Sequence, residues 1–458
     1  MNDRSTSETA VDARRRARPR PILALAMRIA LCAAIVALVA TPASSQAQGG
    51  SARVYRGATV YPAAGPPVRN AAFVVADGRF IAVGPADQIR VPDGAEVVDL
   101  AGRVVIPGLV DTHSHVGIAP RPQTEATSDT NETSGPVQSQ VRAIDAIWPL
   151  DPGIRMAVAG GVTTANIMPG SANVIGGQTA YVKLRGDTVD AMLFAREGVA
   201  GGMKMAGGEN PKRYGDRGKA PMTRMAVLAL QRGALARAQE LRAKRARDRE
   251  RDLALEPLIE VLDGTRVVHY HAHRADDIAS ALRLAREFGL RLVIQHATEA
   301  AQIADEIARD GAAVSVIVVD SPGGKPEMGA FSPTTAGALE RAGVRVAIHT
   351  DDYITPSRLL LRSAALAVAG GMSEAGALSA ITLEAARMLD LDERVGSIEP
   401  DKDADFVVLS GPPFSVYTRV MQTYIDGVRV FDRADPTQRR YATGGYAVGD
   451  RYPSLGDR

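Results

Sequence analysis

The fold of this chain is decided by the stretch Val104-Val105-Ile106-Pro107-Gly108-Leu109-Val110-Asp111-Thr112-His113-Ser114-His115. Its β-branched apolar residues predict a buried strand, and the two histidines point to the same side because side chains in a strand repeat every second residue. Two adjacent imidazoles can hold a divalent metal from one side, and strand ends are where parallel barrels build active sites. The pattern is short, however, and two surface histidines after a core strand would give the same letters.

The other histidines make the metal-site interpretation much stronger. The chain has seven, which are His113, His115, His269, His271, His273, His296 and His349. Each group follows an apolar, strand-like run, such as Leu292-Val293-Ile294-Gln295 before His296. Packing alone does not explain metal-competent side chains at several strand ends, so the pattern predicts a metal site.

Residues 1–47 predict a secretory signal that is absent from the mature protein. A basic segment at residues 14–20 precedes an apolar run at residues 22–40 and a small-residue cleavage site at residues 45–47. An uncleaved membrane anchor is the alternative, because the apolar run is close to spanning length. We expect a secreted or periplasmic protein with no stable membrane association after cleavage.

The same leader holds the only cysteine, Cys32. Leu31 before it is too bulky for the usual lipoprotein cleavage pattern, so we expect no lipid anchor. The mature chain would have no disulfide and no thiolate metal ligand. The leader also carries seven arginines against three acidic residues, so its removal leaves a small net negative charge and no indication of nucleic-acid binding.

Both ends of the mature chain predict β-structure. Residues 48–106 and 393–433 contain alternating apolar and polar runs, with Asp-Gly turns at Asp77 and Asp426. Each half alone would bury little apolar surface, so we expect one small composite β-sandwich domain rather than two independent flaps. Residues 434–458 would form a C-terminal tail.

The centre, residues 107–392, predicts an α/β fold of the (β/α)8 TIM-barrel type. The 239 residues from His113 to Asp351 compare with about 250 for such a barrel. Helical runs at residues 275–288 and 299–309 are followed by glycines, which commonly end helices. Eight candidate strands lie in the opening stretch, at residues 161–167, 180–184 and 202–206, in the runs carrying His271 and His296, and at residues 313–317 and 344–348.

The chain resembles the metal-dependent hydrolases of the amidohydrolase superfamily, in the branch similar to imidazolonepropionase and the Xaa-Pro dipeptidases. The resemblance covers essentially the whole mature chain. Its most specific pieces are the opening stretch, Gly161-Val162-Thr163-Thr164, Val293-Ile294-Gln295-His296 and His349-Thr350-Asp351, which follow one another in the family's order.

The resemblance implies a ligand set for one or two Zn²⁺ ions. His113, His115 and Asp351 would bind one metal, and His271 and His296 would hold the second. In two-metal branches a lysine on strand four reacts with carbon dioxide, and the carbamate bridges the ions; Lys204 resembles that residue. The alternatives are that Lys204 is a surface lysine and that Glu209 supplies the anionic ligand.

The ligand set suggests hydrolysis by a metal-activated hydroxide. Asp351 would act as general base and then as general acid toward the leaving nitrogen. His271 matches the family's strand-five ligand, which leaves His273 free to contact substrate. His273 or His349 would stabilise the oxyanion, and His269 would be a packed core histidine.

We therefore expect cleavage of a C–N amide bond in a small-molecule substrate, namely a cyclic amide, a dipeptide or an N-acyl amino acid. A deaminase of the same fold is one alternative, because fold and metal do not choose the substrate. A catalytically silent binding protein is an alternative of another class. A homo-oligomer is compatible with the sequence.

Overall fold

The structure is a computed structural model that describes residues 52–194, 198–214, 218–244, 251–319 and 324–446. The predicted signal segment, residues 1–47, and residues 447–458 of the predicted tail lie outside the described residues. All described residues belong to the unit Gly50–Arg458. None of the helices in these ranges combines the length and the apolar character needed to cross a lipid bilayer.

The described residues form the following elements. The strands are β1 (Arg53–Val60), β2 (Val68–Ala76), β3 (Arg79–Pro85), β4 (Glu96–Asp99), β5 (Val104–Pro107), β6 (Leu109–Ser114), β7 (Val162–Ile167), β8 (Ile175–Gln178), β9 (Ala180–Lys183), β10 (Met203–Ala206), β11 (Val268–Ala272), β12 (Leu292–His296), β13 (Ala313–Ile317), β14 (Val346–His349), β15 (Phe406–Leu409), β16 (Val420–Ile425) and β17 (Val428–Asp432). The helices are α1 (Pro152–Ala159), α2 (Val189–Met192), α3 (Glu209–Lys212), α4 (Arg224–Ala243), α5 (Glu256–Leu262), α6 (Ala275–Phe288), α7 (Ala304–Asp310), α8 (Thr335–Arg341), α9 (Leu360–Ala369), α10 (Glu374–Ala380), α11 (Leu383–Met388) and α12 (Pro436–Ala442).

The opening stretch is two strands rather than the single strand expected from its apolar run. β5 pairs with β15 and β1, whereas β6 pairs with β7 in a different sheet. Gly108 separates β5 from β6, and a Cβ atom at this position would collide with the side chain of Thr163. The stretch therefore crosses from one sheet to the other at its glycine.

Strands from both ends of the described chain share one sheet, in the order β17-β16-β15-β5-β1-β2-β3, with β4 beside β1. The ring centroids of Tyr55 on β1 and Tyr424 on β16 are only 5.6 Å apart. In a flat sheet, three strand spacings of about 4.8 Å would separate these strands. The sheet thus curls around an aromatic core that also contains Phe73 and Phe406, so the expected sandwich takes the form of one continuous curled sheet.

The central strands form a six-stranded sheet, β14-β13-β12-β11-β10-β8, and a three-stranded sheet, β6-β7-β9. The expectation that all barrel strands run parallel was wrong for β9, which is antiparallel to β7, and β8 is antiparallel to β10. Residues 168–179, which connect β7 to β9, contain the short strand β8 and no helix, whereas a parallel crossover usually carries an α-helix. The chain therefore turns back directly.

Helices α6 and α7 end as the sequence predicts. Gly289 and Gly311 follow them with φ angles of 69° and 66°, the left-handed conformation that glycine adopts most readily. Each glycine lets the chain turn at once into the next strand, β12 or β13. The strands β11, β12 and β13 pair in parallel, so their carboxyl ends lie at the same edge of the sheet.

Candidate metal centre

All six residues expected to bind metal converge at the carboxyl ends of the central strands. They are His113, His115, Lys204, His271, His296 and Asp351, of which only Asp351 is appreciably exposed, with 18% of its side chain accessible. Potential ligand atoms form three groups, each within 4.8 Å; two of the groups include His113, and two include His296. The structure thus brings distant parts of the sequence to one site.

The first group contains His113, His115 and Asp351. Asp351 Oδ1 lies 3.0 Å from His115 Nε2 and 3.4 Å from His113 Nε2. The other ring nitrogen of His115 donates to the carbonyl oxygen of Met168 at 2.7 Å. This bond leaves the lone pair of Nε2 directed into the site, as is usual for metal-binding histidines.

The second group contains His271, His273 and His296. His271 lies on β11, His273 directly follows the end of β11, and His296 is the last residue of β12. His271 Nδ1 and His296 Nε2 are buried and have no hydrogen-bond partner among the described residues. Burial lowers the pKa of both imidazoles well below the usual value, so they are neutral at pH 7, the form that binds metals. Unpaired buried nitrogens are costly, and a bound cation would satisfy them, so these residues fit a metal.

Lys204 is fully buried on β10, which excludes the alternative of a surface lysine. Its Nζ lies 3.1 Å from His113 Nε2 and 3.1 Å from Met168 Sδ. Among the residues that the structure describes, no carboxylate forms an ion pair with it. Burial lowers the pKa of Lys204 to about 7, although the charge of Asp351 opposes the shift. The neutral amine is therefore one of two major forms at physiological pH.

Asp351 has a left-handed backbone, with a φ of 49°, immediately after β14. Its N–H donates to the carbonyl oxygen of His113 at 2.9 Å. Burial alone would raise the pKa of Asp351, but the neighbouring His115, His349 and Lys204 lower it to about 2. Asp351 is thus ionised at neutral pH and can act as a ligand.

Asp111 supports this turn, a role that the sequence analysis did not assign. It is fully buried and accepts hydrogen bonds from the Thr350 N–H at 3.2 Å, the Ser357 hydroxyl at 3.3 Å and the His113 N–H at 3.3 Å. Burial raises its pKa to about 7. Its place two residues before His113 was the available signal, since alternation puts both side chains on one face of β6.

Two further histidines have both ring nitrogens engaged. His269 contacts the Tyr181 hydroxyl at 3.0 Å and Gln295 Nε2 at 3.1 Å, which matches a packed core histidine. His349 Nδ1 lies 2.8 Å from Ser315 Oγ, and its Nε2 lies 3.2 Å from His296 Nδ1. The ring of His349 therefore faces protein groups on both sides.

Glu327 is the functional candidate that the sequence analysis missed. It is buried, and its Oε1 lies 3.4 Å from His271 Nε2 and 3.8 Å from His273 Nε2. It belongs to a short 3-10 helix, Pro326–Met328, in the loop after β13. No motif marks it, because 56 residues separate it from His271 and only the fold brings them together.

Comparison with known proteins finds one matching family model and several similar chains. The family model "Amidohydrolase family" matches residues 254–430. The crystal structure of an amidohydrolase from Thermotoga maritima is 39% identical, with a TM-score of 0.79 over 83% of this chain and 100% of that one. The amidohydrolase tasK of Hapsidospora irregularis is 30% identical over 75% of this chain, which spans only 38% of that relative. Imidazolonepropionase of Rhizobium rhizogenes is 25% identical over 78% of this chain and 91% of its own length.

The chain belongs to the amidohydrolase family of hydrolases. Its likeness to the Thermotoga maritima amidohydrolase indicates a TIM-barrel-type fold with a second domain. The imidazolonepropionase match places it in the branch that the opening stretch and the His349-Thr350-Asp351 segment indicate.

Proposed function

We propose that this protein is a metal-dependent hydrolase that cleaves the C–N amide bond of a cyclic amide, a dipeptide or an N-acyl amino acid. The observation that carries the proposal is the convergence of four histidines, one aspartate and one buried lysine at the strand ends: His113, His115, His271, His296, Asp351 and Lys204. Membership of the amidohydrolase family and the match to imidazolonepropionase support an amide substrate.

We also propose that the strands from β6 to β14 close into a barrel of the TIM type, modified by the antiparallel strands β8 and β9, that occupies about residues 107–392 beside a β-domain from residues 48–106 and 393–433. A parallel bridge between Ser114 and Asp352 links the region of β6 to that of β14 and supports closure. Closure would set the histidines from the two sheets opposite one another.

Two Zn²⁺ ions suit the ligand set. His113, His115 and Asp351 would hold one ion, and His271 and His296 the other, with Lys204 supplying the shared anion. When bound, the ions supply Lewis acidity, which makes a neighbouring water acidic near neutral pH and polarises the amide carbonyl. The neutral Lys204 amine would add to carbon dioxide, so that an N–C bond forms and one proton leaves.

The chain's own groups would move the protons. The Asp351 carboxylate accepts a proton from the attacking water and returns it to the leaving nitrogen. His273, whose Nδ1 lies 2.8 Å from Thr298 Oγ1, is held in one orientation and would contact the substrate oxyanion.

The test is a metal assay followed by a substrate screen. Purified full-length protein should hold about two zinc equivalents per chain and hydrolyse members of a panel of dipeptides, N-acyl amino acids and lactams. Ammonia release from nucleobases without amide hydrolysis would replace this proposal with a deaminase. Protein that binds no metal and turns over nothing would indicate the silent binding protein.

We further propose that the mature protein acts outside the cytoplasm, on the support of the leader-like composition of residues 1–47. Cell fractionation with N-terminal sequencing should find a chain that begins near Gln48 in the periplasm or the medium. Recovery of the full-length chain in the cytoplasm would overturn this.

A further inference from the structure

Glu327 is a buried carboxylate that the proposed proton transfers do not use. Its side chain is only 1% exposed. Oε2 accepts a hydrogen bond from the Glu209 N–H at 3.0 Å, and Oε1 faces His271 Nε2 at 3.4 Å. The loop after β10 thus holds one oxygen of Glu327 and leaves the other directed at a proposed metal ligand.

The two ring nitrogens of His271 have different surroundings. Nε2 faces Glu327, whereas Nδ1 is buried and has no hydrogen-bond partner in the described part of the chain. A neutral imidazole carries one N–H and one lone pair, and an ionised carboxylate can only accept. The proton therefore belongs on Nε2, and the lone pair is left on Nδ1.

His115 shows the same division of roles in the first ligand group. Its Nδ1 donates to the Met168 carbonyl, and its Nε2 remains free beside Asp351. In both residues one nitrogen is bound by the protein and the other is left for a cation. At His271 the acceptor is a carboxylate oxygen rather than a carbonyl oxygen, and hydrogen bonds to carboxylates are the stronger of the two.

We propose that Glu327 is a positioning residue for the second metal. By accepting the Nε2 proton of His271, it fixes the tautomer in which Nδ1 binds the ion. This inference rests on the proposed two-metal function. Loss of such a partner in other metal sites weakens metal binding by about 10- to 100-fold, which is the effect expected here.

Two substitutions separate positioning from direct ligation. In Glu327→Gln the amide oxygen can still accept from Nε2, whereas Glu327→Leu removes the acceptor. A matched control is Glu340→Leu, because Glu340 also accepts a backbone N–H, that of Ser373 at 2.8 Å, but on helix α8. Thermal unfolding of all three variants checks that each is folded.

The measurement is Zn²⁺ titration of metal-free protein, in bicarbonate buffer against a chelator of known affinity. Wild type and Glu340→Leu should show two sites, and Glu327→Leu should weaken one of them by about 10- to 100-fold, with Glu327→Gln in between. Equal loss in Glu327→Gln and Glu327→Leu would overturn the positioning role, because only the glutamine variant keeps an acceptor for the Nε2 proton. Unchanged affinity in Glu327→Leu would overturn it as well.

Nitrogen-15 NMR of the metal-free protein tests the same inference independently of metal binding. His271, assigned through a His271→Gln variant, should be the Nε2–H tautomer in wild type and a mixture in Glu327→Leu. If wild type binds only one ion yet shows this tautomer shift, the two-metal proposal fails while the positioning role stands. If Glu327→Leu leaves the tautomer unchanged, the positioning role fails.

Discussion

Two buried lysines lie on consecutive strands, Lys183 on β9 and Lys204 on β10, but in opposite electrostatic surroundings. Lys183 Nζ lies 2.7 Å from Asp403 Oδ2 and 3.2 Å from Asp405 Oδ1, and it also contacts Asp426. Burial lowers the pKa of Lys183, but these carboxylates outweigh it and the net shift is upward. Lys204 has no such ion pair among the described residues, and burial lowers its pKa to about 7.

The difference shows that burial alone does not decide what a lysine does. Lys183 stays charged and joins β9 to residues beside β15 and β16 in the curled sheet. Its strand partner, Thr164, lies near the start of β7, so this ion cluster sits away from the histidines at the strand ends. With its pKa lowered to about 7, Lys204 is instead in large part an uncharged amine beside a ligand, which suits covalent modification.

The largest expected effect is on turnover and concerns the proposed metal site, where Lys204 lies. Asp351→Asn should lower turnover by about 10²- to 10⁴-fold, because an amide ligates weakly and cannot accept a proton. The protein should stay folded, largely retain its metal and unfold at nearly the wild-type temperature. A near wild-type rate on any good substrate would remove Asp351 from the role of base.

For the lysine with a structural role, Lys183→Met should lower the unfolding free energy by about 3–5 kcal/mol. The reason is that the substitution leaves buried carboxylates without their positively charged partner. Denaturant unfolding measures this loss. The matched change Lys204→Met should cost far less in metal-free protein, because it replaces an amine without an ion pair. Equal losses for the two variants would contradict the contrast between the lysines.

Lys204→Ala should lose about one metal equivalent, because the proposed shared anion is gone. Elemental analysis measures the loss, and small carboxylic acids that fill the gap should restore part of the activity. Lys183→Ala, assayed at a temperature where it is folded, is the control and should keep its metal. Unchanged metal content and rate in Lys204→Ala would leave a mononuclear site of His113, His115, His271 and Asp351.

The smallest effect concerns alkaline pH. Because the pKa of Lys183 is raised in the folded state, its stabilising contribution is complete below the unfolded-state value of about 10.4 and is lost as pH rises through the folded value. A tenfold difference in proton affinity between the folded and unfolded states corresponds to about 1.4 kcal/mol of stability. The stability gap between wild type and Lys183→Met should therefore narrow above about pH 10.4. A gap independent of pH would contradict a charged Lys183.

Much of this organisation is readable from the sequence because it depends on local patterns. The strand carrying His113 and His115, the α6 and α7 helices and their terminal glycines follow from periodicity and backbone preference. The family resemblance supplied the candidate set that the structure gathers at one site, including His296 and Lys204. The strand-end positions were the readable signal, since parallel strands share one carboxyl edge.

Other features follow only from the tertiary structure. The reversed β9 follows a connection that has no crossover helix, and the curl of the sheet is seen only where Tyr55 meets Tyr424. Glu327 acts through contacts that no spacing encodes.

What the sequence by itself determined is which residue types stand at which strand ends; what only the fold decided is the charge they carry. Lys183 and Lys204 are the same side chain in similar apolar runs. The carboxylates that surround Lys183 come from residues more than 200 positions away, and Lys204 has none as an ion-pair partner in the described structure. Ionisation depends on desolvation and on neighbouring charges, and both quantities exist only after the chain has folded.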